Sequence, residues 1–148
     1  MRNVEQAVSM FKEGFLCSQA LLATYGPPLG VSRDTALRLA EGFGGGVARM
    51  AGTCGAVSAA FMIISLKISP GEPIDPKAKE ANFALIKKFV DLFIEMNGSI
   101  ICRELLGQDI GTAEGLKNAR EEKLFEKACP KYVEDAAVLL EQCLDLTP

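Results

Sequence analysis

Residues 42–66 read GFGGGVARMAGTCGAVSAAFMIISL, and the reading of this stretch decides the fold. Gly44, Gly45 and Gly46 cannot hold a helix interior, because glycine has the most backbone freedom to lose. They mark a loop, or the frayed end of a preceding helix. From about Gly52 the composition turns to Ala, Val, Ile, Leu, Met and Phe, and no charge appears between Met50 and Leu66. The spacing predicts a central buried helix over about 51–68. Gly52, Ala56 and Ala60 lie four apart and share a face almost free of side chains, which a neighbouring backbone can approach closely. Cys54 then falls in the first turn. Backbone N–H groups there lack an intrahelical partner and the helix dipole is positive, so a thiolate is favoured over a thiol.

Outward from this helix, punctuation residues divide the chain. Val4, Ala7, Val8 and Phe11 repeat at helical spacing within Asn3–Lys12. Phe15–Tyr25 reads as a second helix with Cys17 near its start, ended by Gly26-Pro27-Pro28. Ser32 caps a helix over Arg33–Phe43. Asp75 caps a long helix with Pro76 at its favoured first position; Ala81, Leu85, Lys88/Phe89, Leu92 and Met96 trace one side, and Asn97-Gly98 stops it. Ile100–Leu106 is a short helix carrying Cys102, and Leu116–Lys127 is a charged helix. Pro130 at a first helical position makes Cys129 the N-cap of a last helix, whose apolar face is Val133, Ala136, Ala137, Leu140, Cys143 and Leu144. No stretch alternates as a strand and no hairpin signal occurs. The expectation is an all-α fold: one domain, residues 1–148, a bundle of six or seven helices around the apolar helix at about 51–68.

Composition narrows the chemistry. The chain has 148 residues, a net charge of −3, and neither histidine nor tryptophan. Without histidine there is no Ser–His–Asp or Cys–His pair, no His metal ligand and no ordinary haem ligand. Lys and Arg are scattered rather than striped, which argues against nucleic acid as a partner. Residues 1–15 have no apolar signal core, and the central run is too short and too interrupted for a membrane span. A cytoplasmic protein is expected. The glycine run lacks phosphate-loop spacing and follows a predicted helix rather than a strand, so a tightly packed or flexible loop is expected there. Arg49 and Arg103 read as solvated, with a role in lowering a thiol pKa as the alternative. Met50 and Met62 read as core.

What remains is sulfur. The five cysteines are Cys17, Cys54, Cys102, Cys129 and Cys143, and no two form a CxxC motif. Cys143 lies on a core face and reads as a small packing residue. The other four each fall at or within the first turn of a predicted helix. If those turns converge, four thiolates form a site for zinc or an iron–sulfur cluster. Two redox disulfides are the alternative. Purely structural disulfides do not suit a reducing cytoplasm.

Cys17, the run Thr53-Cys54-Gly55-Ala56-Val57-Ser58-Ala59, Cys102 with Leu105-x-Gly107-x-Asp109, and Cys129 with Tyr132 together resemble the C_GCAxxG_C_C family of redox-active proteins. The resemblance covers nearly the whole chain. Thr53 stands where the family name writes Gly, and Ala59 where its motif ends in Gly; neither change touches a sulfur. A related domain accompanies an iron–sulfur cluster in split-Soret cytochromes. The absence of CxxCH here leaves only the non-haem part to carry over.

The resemblance implies a redox or electron-transfer protein, a component of oxidoreductase chemistry. Cys17, Cys54, Cys102 and Cys129 would be its metal ligands. Cys54 and Cys102 are the first redox candidates; no other catalytic residue is assigned. An iron–sulfur cluster is the expected cofactor, ahead of zinc, and no haem is expected. A redox partner protein is implied but not identified, and the small-residue face could serve a homodimer. The competing readings are a metal-free thiol–disulfide protein and a non-catalytic helical module with inert core cysteines.

Overall fold

The computed structural model describes residues 2–145. Eight α-helices are present among them: α1 (Asn3–Lys12), α2 (Cys17–Tyr25), α3 (Arg33–Ala40), α4 (Gly55–Ile68), α5 (Pro76–Asn97), α6 (Cys102–Leu106), α7 (Ala113–Glu121) and α8 (Leu124–Leu144). Only α6, at five residues, is shorter than eight. No strand forms among the described residues; Thr53 and Ile101 make one isolated antiparallel bridge.

α4 is apolar on every side, as an interior helix must be. It packs against α2, α5 and α8, and Ala56, Val57, Ala59, Ala60, Ile63 and Ile64 are fully buried. Around it, α1 lies on α2 and α8, and α3 lies on α2. Phe89 and Phe93 fix α5 to this core, stacked with ring centroids 6.2 Å apart and both fully buried. Each contributes about 1.5–3 kcal/mol by burial.

A second, smaller apolar cluster sits apart from the main core. Ala51, Cys102, Leu106, Ile110 and Ala119 are buried in it, with Leu116, Leu124, Phe125, Ala128 and Cys129 packed against them. The chain thus has one large core and one satellite, and the segment 44–54 runs between them.

Several expectations need correction. α4 begins at Gly55 rather than near residue 51, so Gly52 is outside it and Cys54 is its N-cap. The cause is the backbone before it. Gly45, Gly46, Val47, Ala48, Arg49 and Ala51 all have positive φ, a left-handed turn closed by bonds from the N–H of Ala48 to Gly42 O and of Arg49 to Gly44 O. Non-glycine residues adopt this conformation at a cost of about 1–2 kcal/mol each. Gly46 is required, since a Cβ there would lie 2.8 Å from the Ala51 carbonyl carbon. The Ala56–Ala60 face is buried inside the bundle and is not available to a second copy.

The last helix also differs. It starts at Leu124, and Pro130 lies inside it, so Cys129 is no N-cap. Leu116–Lys127 is not one helix: α7 ends at Glu121, Lys123 takes a left-handed conformation, and α8 begins. Pro130 removes one helical donor, a change that disfavours a helix interior by about 3 kcal/mol. The carbonyl it leaves belongs to Glu126, an exposed residue, where water can serve it. Phe125, Cys129, Tyr132, Val133 and Ala136 give α8 one continuous apolar face, which favours a single helix over a break. On α5, Ala81 and Met96 are exposed, while Asn82 is buried and donates to Ser65 Oγ at 3.0 Å. Met50, expected in the core, is 64% exposed. Arg33–Phe43 is helical only to Ala40, with one 3₁₀ turn following.

Candidate functional site: a cavity shared by four thiols

Each cysteine is placed by its own local structure. Leu16 caps α2, its N–H bonded to Gln19 Oε1 at 3.0 Å, so Cys17 is the first helical residue. The next two residues anchor the turn: Ser18 Oγ donates to Ala40 O at 2.7 Å, and Gln19 Nε2 donates to Leu37 O at 2.9 Å. Cys54 and Cys102 are set by the bridge that precedes their helices. The Cys54 N–H bonds to Ile100 O at 2.7 Å and the Cys102 N–H to Gly52 O at 2.6 Å. Cys129 comes from one turn and a half into α8. Tyr132, one turn further on, donates to Leu105 O at 2.8 Å and ties α8 to α6.

All four cysteines line one cavity of about 320 Å³. It lies at the seam between the two apolar clusters. Cys17 and Cys54 belong to the main core, Cys102 and Cys129 to the satellite. Gly44, Gly45, Gly46, Ala48 and Arg49 of the left-handed turn form one wall, and Phe11, Phe125 and Tyr132 contribute others. Cys143 is absent from the lining and packs half-buried against the main core.

Gly55 makes the closest approach possible. A Cβ built on it would lie 2.7 Å from Cys17 Sγ and 2.7 Å from Phe43 O. Only hydrogen fits between the α4 N-terminus and the Cys17 sulfur. This is the steric reason for a glycine directly after Cys54.

The thiols are electrostatically distinct. Cys17 is drawn down from 9.0 to about 7, chiefly by the adjacent Cys54 thiol. Burial opposes this, while the backbone N–H groups of Gly45, Ser18 and Ala56 add to the lowering. Cys54 is held well above its ordinary value, first by its Cys17 neighbour and then by burial. Burial, and then the charge on Cys17, raises Cys102 to about 11. Cys129 is pushed up by burial and then by Cys17 and Cys102. Of the four cavity thiols, Cys17 is therefore the one whose surroundings favour the thiolate.

Among the described residues, no three Cys, Asp or Glu side chains sit close enough together to hold a metal ion. The four thiols surround a shared volume rather than closing on a point.

The family model described as "Putative redox-active protein (C_GCAxxG_C_C)" matches residues 15–143. The chain belongs to this family. No curated protein and no solved structure matches it. The matched span includes all four cavity cysteines and the glycine turn. No helix among the described residues is long and apolar enough to cross a membrane.

Three features of the site were missing from the sequence reading. The glycine run is a tightly packed loop, one of the two forms expected, but its left-handed course along the cavity wall was not foreseen. Cys17 is the thiol directly beside Cys54, a neighbour relation the sequence reading did not single out. Arg103 is exposed, as expected, but its Nη1 also donates to Ala51 O at 3.1 Å and so supports the turn.

Proposed function

We propose that Cys17, Cys54, Cys102 and Cys129 together hold an iron–sulfur cluster in the shared cavity and that the protein passes single electrons. The observation that carries this reading is that four cysteines from four separate segments line one cavity. The donor set suits the group: iron–sulfur clusters are held by cysteine thiolates, and no histidine competes. A lone zinc ion fits less well. It needs its ligands at about 2.3 Å, and no three of these side chains gather that closely. A cluster brings its own sulfide and supplies one-electron chemistry when bound. The protein's part is to present four thiolates, shield them with Phe11, Phe125 and Tyr132, and aim the Gly45 and Ala56 N–H groups at the bound sulfur. Such N–H bonds and burial set a cluster's potential.

The test is anaerobic reconstitution of the reduced protein with ferrous iron and sulfide, followed by iron and sulfide analysis and a visible spectrum. Stoichiometric loading that is lost in Cys54→Ser and kept in Cys143→Ser supports the reading. Substoichiometric metal unaltered by Cys54→Ser refutes it.

The adjacency of Cys17 and Cys54 favours a second reading, a metal-free dithiol. Cys17, with its lowered pKa, attacks a disulfide substrate; Cys54 then displaces the mixed disulfide, leaving a Cys17–Cys54 bond and two reduced thiols on the substrate. Two electrons and two protons pass to the substrate. A loss of two free thiols on mild oxidation, reversed by reductant and absent in Cys17→Ser, distinguishes this reading from the first.

A further inference from the structure

α5 is 22 residues long, about 33 Å. One side of it is committed to α4 and α8 through Asn82, Phe89 and Phe93. A second apolar stripe runs along its flank. Phe83 is 48% exposed and Ile94 40%, with Ile86 and Val90 half-buried between them. Spacings of three, four and four place these residues on one line. Single exposed apolar residues are ordinary; an aligned row is the pattern of a helix-pairing seam.

The charges beside the stripe are ordered. Lys77, Lys79, Lys87 and Lys88 all precede Asp91 and Glu95 along α5, with Glu80 the one exception to that order. Lys87 and Asp91 are exposed on the same flank, next to the stripe. The ion pairs within the described residues involve neither of them.

We propose that α5 pairs antiparallel with α5 of a second copy of this chain, across a two-fold axis near residues 87–90. An antiparallel two-fold pairing brings the same flank of both helices together. Phe83 then packs beside Ile94 of the second copy, and each Lys87 faces Asp91 of the other. An isologous interface makes every such contact twice. A parallel pairing would set Lys87 against Lys87 and Asp91 against Asp91, so the charge order selects the antiparallel arrangement. No α5 residue lines the thiol cavity, so this inference stands or falls independently of the proposed cofactor.

The test is sedimentation equilibrium of the full reduced chain over a range of concentrations in low salt, with circular dichroism confirming that each variant folds. The wild type is a dimer. Lys87→Glu and Asp91→Lys each weaken it about tenfold, since both reciprocal pairs turn repulsive. The Lys87→Glu/Asp91→Lys double variant restores it, because the swapped charges again face opposite signs. Phe83→Glu gives a folded monomer. A monomeric wild type, a dimer insensitive to Phe83→Glu, or a double variant no tighter than the single ones overturns the proposal.

Discussion

Gly55→Ala is the sharpest probe of the thiol cavity, because it adds one methyl group at its tightest point. The new Cβ would lie 2.7 Å from Cys17 Sγ, 2.7 Å from Phe43 O and 3.2 Å from the Ser18 Cβ. Two of these neighbours cannot yield cheaply. Phe43 O is backbone, and Ser18 is held by its bond to Ala40 O. The sulfur must therefore give way, and the Phe43 carbonyl must shift as well, since 2.7 Å is too short for either. Overpacking of this kind costs about 1–3 kcal/mol. Replacing glycine by alanine in a helix returns up to about 1 kcal/mol. The expected net loss is therefore about 1–2 kcal/mol, a fall in Tm of roughly 2–8 °C for a chain of this size. Thermal denaturation of the reduced protein reads the stability, and reconstitution with iron and sulfide reads the site. Gly42→Ala is the control, since nothing lies within 4 Å of its added Cβ. If Gly55→Ala matches Gly42→Ala in Tm and loads iron like the wild type, the sulfur does not depend on that glycine and the steric reasoning is wrong.

Other expectations follow from the same geometry. In chelator-treated, reduced protein, Cys17 should be the cavity thiol alkylated fastest by iodoacetamide. Its rate should rise with pH to a midpoint near 7, because the thiolate is the nucleophile, while Cys102 should approach its midpoint only near 11; peptide mass analysis over a pH series checks both. Pro130→Ala restores the N–H that can bond to the Glu126 carbonyl, and should raise stability by about 1–2 kcal/mol in urea unfolding. Ala48→Gly relieves a left-handed alanine at an exposed position and should raise it by about 1 kcal/mol, whereas Ala48→Val should lower it.

The sequence makes most of the bundle legible because its punctuation is local. Asp75-Pro76, Ser32 and Gly98 act through neighbouring backbone groups, so their helices start or stop at or next to the expected residues. The same holds for Cys17 and Cys102, each at the first position of its helix. Local rules fail where tertiary packing outweighs them. Pro130 satisfies the rule for a helix start, yet the apolar face from Phe125 to Ala136 is worth more as one helix than as two. The left-handed turn carries no composition signal beyond its glycines, because Val47, Ala48 and Arg49 have no preference for positive φ. The burial of Asn82 is not legible in the pattern, since nothing nearby in sequence announces its partner Ser65. The closeness of Cys17 to Cys54 depends on Gly55, whose role shows only when the two segments are seen side by side.

The seam between the two apolar clusters sets how the protein comes apart. The satellite is small, so it should open more readily than the main core and show faster amide hydrogen exchange in α6 and α7. Two sulfurs ride on each side of that seam. Any group bonded to all four would act as a rivet, slowing exchange in the smaller body and making its breathing a reporter of occupancy.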